Sequence, residues 1–168
     1  MNIALRPIQP SERETLRNLW EKYDYDFSKF DQSDVDASGL YSSKAFDYYW
    51  TKENVWPYFI TVDGKLAGFV MVTDIPEVEG TETDFQIGEF FVMVKYRRLG
   101  IGRHVFFQLL DKHKGRYQLM RHPKNTAAAL FWDNVINEYT KGQYTLIQSY
   151  HGFTYPDGTP GDAFIFES

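Results

Sequence analysis

The chain has 168 residues, carries a net charge of −5 and contains no cysteine. Its length is that of one ordinary domain, so we expect residues 1–168 to form a single domain. The acidic charge argues against a general nucleic-acid binder, and the lack of cysteine excludes disulfides, thiolate zinc sites and a cysteine nucleophile. The four histidines lack metal-ligand spacing, and no apolar run suits a signal peptide or a membrane span. We therefore expect a cytoplasmic protein that binds neither a metal nor a membrane.

The first part of the sequence predicts a strand followed by a helix. Residues 2–7 alternate between apolar and polar side chains, which is the pattern of a half-buried strand. Ser11 and Glu14 have the spacing of a capping box, and apolar side chains recur at helical spacing after them. We therefore expect a helix that begins near Ser11 and ends near Phe27.

A short helix and a hairpin are predicted next. Residues 31–39 are polar and acidic, which is typical of a loop, and an aromatic helix is expected around residues 43–50. Two apolar segments, 56–62 and 65–73, flank an Asp-Gly pair that favours a tight turn. These two segments therefore predict a hairpin.

The second part of the sequence alternates strands with helices. Its longest strand candidate, residues 85–94, is followed by a glycine-containing turn and by a helix that Gly115 ends. The remaining predicted elements are a strand at 117–121, a helix at 126–139 and two strands at 144–150 and 163–166. This order predicts an α/β fold with one mixed sheet of about seven strands flanked by about four helices.

The turn after residues 85–94 has the features of an anion site. Gly100 and Gly102 let the backbone bend sharply, and the helix that begins there leaves its first N–H groups unpaired. Those donors, the positive end of the helix dipole and the cations of Arg97, Arg98 and Arg103 favour a phosphorylated ligand. No Walker loop or three-glycine dinucleotide fingerprint is present. The arginine and glycine pattern of this turn, taken alone, also fits a plain turn before a helix.

Two segments resemble the GNAT superfamily of N-acetyltransferases. The segment from Glu89 to Arg103, with its Arg-x-x-Gly-x-Gly loop, is similar to motif A of that superfamily. Residues 125–132, with the sequence Asn-Thr-Ala-Ala-Ala-Leu-Phe-Trp, are similar to its motif B. The resemblance implies a GNAT-like sheet that is splayed between its fourth and fifth strands, with acetyl-CoA as the cosubstrate. It also implies transfer of the acetyl group to a primary amine by direct attack within a ternary complex.

The resemblance assigns the positions that bind the coenzyme. Backbone N–H groups from Arg98 to Arg103 would bind the pyrophosphate, and the pantetheine arm would pair like an added strand with the backbone of residues 90–92. Asn125 would contact the coenzyme, although asparagine is also a good helix N-cap and both roles stay open. The expected coenzyme-binding residues are Phe90, Phe91, Val92, Arg97, Arg98, Leu99, Gly100, Ile101, Gly102, Arg103, Asn125 and Trp132.

Glu89 is the expected general base. An acceptor amine with a pKa of about 10.4 must lose its proton before it can attack. Glu89 stands in an otherwise apolar strand directly before residues 90–92, and alternation places it on the same face as Phe91 and Met93. It is therefore either a solvated residue of the strand or a base aimed at the acceptor, with a bound water able to share the role.

The sequence departs from the superfamily at the expected general acid. Trp132 stands where many members have a tyrosine, and an indole N–H cannot supply a proton near neutral pH. Either Tyr139 or Tyr144 takes that part, or the thiolate leaves without help. Tyr144 is the better placed of the two because the chain can turn back toward the sheet after Gly142. Trp132 would then wall the thioester pocket or pack in the core.

An acidic segment is the expected acceptor site. Aspartates and aromatic residues are interleaved there, which suits the mouth of a pocket for a cationic amine and equally suits a solvated loop. The expected partner is a small-molecule amine or a lysine or N-terminal amine of a protein, and a homodimer is compatible with the sequence. Two other functions stay open, a non-catalytic acetyl-CoA sensor and another nucleotide-binding regulatory module. The residues of the segment are Tyr23, Asp24, Tyr25, Asp26, Phe27, Asp31, Asp34 and Asp36.

Overall fold

The structure is a computed structural model that describes all 168 residues. It contains seven strands and four helices, which confirms the predicted α/β class and the predicted number of elements. In chain order the elements are β1 (Ile3–Pro7), α1 (Arg13–Asp31), α2 (Lys44–Thr51), β2 (Val55–Val62), β3 (Lys65–Thr73), β4 (Phe85–Val92), α3 (Ile101–Lys112), β5 (Arg116–Arg121), α4 (Thr126–Thr140), β6 (Tyr144–Thr154) and β7 (Pro160–Glu167).

All seven strands form one mixed sheet with the order β1-β2-β3-β4-β5-β7-β6. Only β4 and β5 run parallel, and every other neighbouring pair is antiparallel. Helices α3 and α4 cover one face of the sheet, where they share a large apolar core with it, and α1 and α2 cover the other face with a smaller, aromatic-rich core. None of the helices combines the length and apolar character that crossing a membrane requires.

The predicted start of α1 is wrong. A 3-10 turn at Pro10–Glu12 precedes the helix, which begins at Arg13. The carboxylate of Glu12, and not of Glu14, accepts the backbone N–H of Gln9 at 3.0 Å, because Arg6 holds Glu12 there through two hydrogen bonds of 2.8 Å. The capping box therefore lies two residues earlier than the sequence spacing indicates.

Strand β4 leaves the sheet open on one side. Its parallel pairing with β5 covers only residues 85–87, which lie opposite residues 117–119. Beyond Ile87, β4 stays paired with β3 while β5 stays paired with β7. The two strands therefore diverge, and the expected splay between the fourth and fifth strands is observed.

Candidate functional site

A cavity of about 790 Å³ opens where β4 and β5 diverge. Its walls come from the end of β4, the end of β5, the first turn of α3, one face of α4 and the inner side of α1. The turn between β6 and β7 supplies the remaining wall. A cavity of this size and mixed lining is large enough for a small-molecule ligand.

The glycine loop forms the end of the cavity beside α3. Gly100 adopts a left-handed conformation with φ 77°, and the first hydrogen bond of the helix runs from the His104 N–H to the Gly100 carbonyl at 3.0 Å. The N–H groups of residues 101–103 therefore have no helical partner and are free to bind an anion. Gly102 also packs tightly, because a Cβ built there would lie 3.1 Å from the ring of Phe131.

The three arginines near this loop have different surroundings. Arg103 forms an ion pair with Glu138 on α4. Arg97 donates to the carbonyl of Val92 at 2.7 Å and to the carboxylate of Asp26 on α1 at 2.6 Å. Arg98 is exposed and makes no hydrogen bond or ion pair within the protein. It is therefore the cation of the three that is free to meet a phosphate.

Residues 90–92 line the cavity on the open side of β4. Because β5 has left the sheet at this level, backbone groups that do not pair with β3 have no strand partner. The ring of Phe90 meets Trp132 on α4 at 5.2 Å, and the ring of Phe91 meets Tyr23 on α1 at 5.6 Å. This part of β4 can therefore accept an extended ligand along its edge.

Asn125 and Trp132 bring α4 to the same cavity. The side-chain oxygen of Asn125 accepts the N–H of Ala128 at 3.1 Å, so this residue caps the helix. Trp132 is 7% exposed and packs edge-on against Phe90 and Phe106. Both residues thus have a structural role and also form part of the cavity wall.

Glu89 faces the opposite side of β4, toward α1. Its carboxylate accepts a hydrogen bond from the Tyr23 hydroxyl at 2.6 Å. Burial raises the pKa of Glu89 to about 8, against the opposing effect of the Tyr23 hydrogen bond, and the negative charges of Glu77 and Asp24 add to the increase. At pH 7 this carboxyl group is therefore mostly protonated, and its base form increases as the pH rises toward 8.

Two further carboxyl groups line the cavity near Glu89. Burial raises the pKa of Asp24 to about 7, with Glu21 and Asp31 adding to the increase, and burial also raises the pKa of Glu77. Sequence reasoning named Asp24 but missed Glu77, which looked like one acidic residue among several in a loop. The site is thus richer in carboxyl groups than the sequence indicated.

The acidic segment reaches the cavity only in part. Its residues within α1 other than Tyr25 line the cavity, including Asp24 and Asp26, whereas Asp34 and Asp36 do not. The Asp36 carboxylate instead accepts hydrogen bonds from Ser38 and other groups of its own loop. Because α1 continues to Asp31, four residues past its predicted end, Asp31 also lies on the helix and lines the cavity.

Tyr139 and Tyr144 do not reach the cavity. The Tyr139 hydroxyl bonds to Asp111 at 2.9 Å and accepts a hydrogen bond from Lys114, on the exposed side of α3. Tyr144 lies opposite Phe166 on β7, which in turn lies opposite Tyr117 near the start of β5. The cavity is at the other end of β5, so the structure does not support either tyrosine as the general acid.

Tyr155 is a cavity residue that sequence reasoning missed. It stands in the turn between β6 and β7, and its ring packs against His122 with 4.4 Å between centroids. His122 is fixed by the N–H of Lys124 at 3.2 Å and by Asp157 at 3.3 Å. The Tyr155 hydroxyl has no hydrogen-bond partner in the protein, and burial, with the charges of Glu77 and Glu89, raises its pKa. It is therefore a neutral donor that faces the cavity.

No group of three or more His, Asp or Glu side chains is placed to hold a metal ion.

Comparisons with solved structures identify the fold. The histone acetyltransferase HPA2 and related acetyltransferase of Corynebacterium glutamicum superposes with a TM-score of 0.73 at 11% identity, over 99% of this chain and 97% of that one. An acetyltransferase from Thermus thermophilus gives a TM-score of 0.66 at 10% identity, over 100% and 98% of the two chains. The PaiA N-acetyltransferase of Thermoplasma acidophilum, in complex with coenzyme A, gives 0.62 at 13% identity over 100% of both.

The sequence itself also matches a family model. No curated protein matches the chain. The model of the acetyltransferase (GNAT) family, however, matches residues 13–134, which include the glycine loop, Glu89 and the first half of α4. The chain therefore belongs to the GNAT family of acetyltransferases.

Proposed function

We propose that the protein transfers an acetyl group from acetyl-CoA to a primary amine, by direct attack of the amine within a ternary complex. The observation that carries the proposal is the cavity between β4 and β5. It joins an anion-binding loop at one end to a buried carboxyl group with a raised pKa at the other. A donor coenzyme and an acceptor amine could therefore meet across one strand.

The coenzyme would occupy the loop and the open edge of β4. Backbone N–H groups from Arg98 to Arg103 would bind the pyrophosphate, and the unpaired Arg98 side chain would add positive charge. The pantetheine arm would lie along residues 90–92, where β4 lacks a neighbour. The edge of Trp132 would bound this channel. The glycine at position 102 suits such a channel because any side chain there would press on Phe131.

Glu89 would accept the proton of the acceptor. An ordinary carboxylate is a poor base for an ammonium group with a pKa of about 10.4, whereas one with a pKa near 8 lies much closer. Once the amine is neutral, its nitrogen bonds to the thioester carbon and the carbonyl oxygen becomes an oxyanion, to which a backbone N–H of β4 would donate. The carbonyl then re-forms as the carbon–sulfur bond breaks, the attacking nitrogen loses its extra proton to water, and the thiolate takes up a proton.

Two features bear on how the thiolate leaves. A thiol with a pKa of about 8.5 is an acceptable leaving group, so the thiolate can depart unaided and be protonated by water. The free hydroxyl of Tyr155 offers a hydrogen bond to negative charge in the cavity, although its raised pKa makes it a donor rather than an acid. We favour the unaided departure of the thiolate, with Tyr155 as a hydrogen-bond donor.

The acceptor would be a small-molecule amine or the lysine or N-terminal amine of a protein. The carboxyl groups on α1 and β4 favour a cationic group at this side of the cavity, because their negative charge would be relieved by an ammonium. The proposal is tested by incubating the protein with acetyl-CoA and a panel of amines while following release of the coenzyme A thiol. The proposal is supported if the wild type releases thiol only when an amine is present and Gly102→Asp releases little or none.

The second candidate function is a non-catalytic acetyl-CoA sensor, which Trp132 favours because it replaces the tyrosine often found at this position. A sensor would bind acetyl-CoA in a calorimetric titration yet release no thiol with any amine of the panel. A nucleotide-binding module of another kind would instead bind ATP or NAD more tightly than acetyl-CoA. The same titrations therefore separate the three functions.

A further inference from the structure

The backbone of β4 contains a bulge directly before Glu89. Met71 of β3 lies opposite Glu89, and Val72 lies opposite Ile87, so Gly88 has no partner in the ladder. In a regular strand Ile87 and Glu89 would point to the same face. Ile87 instead packs in the core under α3 and α4, while Glu89 bonds to Tyr23 on the other face. The extra residue therefore turns Glu89 toward α1 and α2.

The bulge also makes room for a second tyrosine. A Cβ atom built at Gly88 would lie only 2.1 Å from the hydroxyl oxygen of Tyr49. Any residue other than glycine would thus push this hydroxyl away from the strand. The hydroxyl of Tyr49 thus lies close to the Glu89 carboxyl group, and it lowers the pKa of that group by less than Tyr23 does.

Aromatic packing holds the two tyrosines in place. The Tyr23 ring contacts Phe69 at 5.7 Å and Phe91 at 5.6 Å, both edge-on or tilted. The rings of Tyr23 and Tyr49 both contact Trp20, which is 2% exposed. Burial raises the pKa of each tyrosine, so both hydroxyls stay neutral and can donate to a carboxylate. Donors fixed by packing from two helices give the carboxylate one orientation.

We propose that Tyr23 and Tyr49, admitted beside β4 by the bulge at Gly88, are positioning residues that hold the Glu89 carboxylate for proton transfer. The inference rests on the proposed role of Glu89 as the base. The Tyr23 hydroxyl bonds to one oxygen of the carboxylate, and Glu89 also lines the cavity that the acceptor would enter. The same hydrogen bond stabilises the ionised form of Glu89, and the nearby Tyr49 hydroxyl adds a smaller effect in the same direction.

The pKa of Glu89 reports this arrangement without any substrate. The full-length protein is labelled with glutamate that carries ¹³C in the side-chain carboxyl group, and the Glu89 signal is assigned by its loss in Glu89→Gln. Tyr23→Phe keeps the ring but removes the stronger donor, so we expect the pKa of Glu89 to rise by at least about half a unit. Tyr49→Phe should raise it by less. Tyr25→Phe is the matched control, because Tyr25 lies on the same helix, is 74% exposed and should leave the pKa unchanged.

A rate measurement then links the contacts to the reaction. With the most active amine of the panel, the pH at which turnover reaches half its maximum should move upward in Tyr23→Phe by the same amount as the pKa. Gly88→Ala should produce a smaller change in the same direction by displacing Tyr49, and Tyr49→Phe takes its place if the alanine variant does not fold. Acetyl-CoA affinity should stay at the wild-type value in each tyrosine variant.

Two results would overturn the inference in distinguishable ways. If Glu89→Gln turns over like the wild type at every pH, Glu89 is not the base, and the inference fails together with that part of the proposed function. If Glu89→Gln is slow but folded Tyr23→Phe keeps both the wild-type pKa of Glu89 and the wild-type pH profile, Glu89 keeps its role. Tyr23 is then not a positioning residue, and the inference fails alone.

Discussion

At the scale of single residues, the proposed chemistry depends on Glu89. Its carboxyl group has a pKa of about 8, so the base form is a minority at pH 7 and increases as the pH rises. Glu89→Gln should lower turnover by about 10²–10⁴-fold at pH 7 and by less at high pH, where amines lose their protons unaided. Steady-state rates over a pH series measure this, with the exposed Glu53→Gln as control. An equal loss at every pH would indicate a structural role instead.

The raised pKa of Glu89 also predicts how stability changes with pH. Between its ordinary value of 4.5 and its folded-state value of about 8, the folded protein binds more protons at this group than the unfolded chain does. The free energy of unfolding therefore receives a contribution from Glu89 that falls as the pH rises through this range. Glutamine does not titrate, so the free energy of unfolding of Glu89→Gln, measured in urea, should increase relative to that of the wild type as the pH rises from 4.5 to about 8. A pH-independent difference would contradict the raised pKa.

The role of Tyr155 as a hydrogen-bond donor can be tested with two matched variants, Tyr155→Phe and Tyr144→Phe. Tyr155→Phe removes the free hydroxyl that faces the cavity, and loss of one such bond in the transition state should lower turnover about tenfold. Tyr144→Phe should leave turnover unchanged, because Tyr144 packs on Phe164 at the far end of the sheet. Acetyl-CoA affinity, measured by calorimetry, should be normal in both. Full turnover in Tyr155→Phe would show that the thiolate leaves without a hydrogen bond from Tyr155.

At the scale of elements, the glycine loop is the part of the site that the sequence predicted best. The bend at Gly100 and the start of α3 are local features, and the structure places them as expected. Other parts depend on contacts between distant segments. The bulge at Gly88 lies in the register of β4 against β3 and leaves room for Tyr49 of α2, and Tyr155 reaches the cavity because β7 inserts between β5 and β6. Neither spacing nor periodicity within one segment contains that information.

Coenzyme binding by the glycine loop can be tested with two substitutions of Gly102, one that adds only a small side chain and one that also adds a negative charge. Gly102→Ala adds a Cβ atom that requires the Phe131 ring to shift by a few tenths of an ångström, so a modest loss of acetyl-CoA affinity is expected. Gly102→Asp adds a negative charge at the proposed pyrophosphate site, and affinity should fall by well over about tenfold. Gln108→Glu, at an exposed position of the same helix outside the cavity, controls for the added charge. Equal calorimetric affinities of Gly102→Asp and Gln108→Glu for acetyl-CoA would place the coenzyme elsewhere.

At the scale of the whole molecule, the gap between β4 and β5 separates two parts of the sheet whose strands pair directly over only three residues. One part is built on β1 to β4, and the other on β5 to β7 and α4. Three paired residues of β4 and β5, together with packing of α3 against α4, connect them. A ligand that lies along β4 and touches α4 would therefore bridge both parts, and its binding free energy should appear as global stability.

Acetyl-CoA should accordingly stabilise the whole fold. At a free concentration of about 100 times its dissociation constant, a ligand of the folded state adds about 2.7 kcal/mol. For a chain of this length that corresponds to an increase in the melting temperature of roughly 5–10 °C. ATP and NAD at the same concentration should give smaller shifts, and Gly102→Asp should lose the response to acetyl-CoA while melting cooperatively. If ATP raises the melting temperature more than acetyl-CoA does, the cavity binds a nucleotide rather than the thioester donor, and the proposed function is wrong.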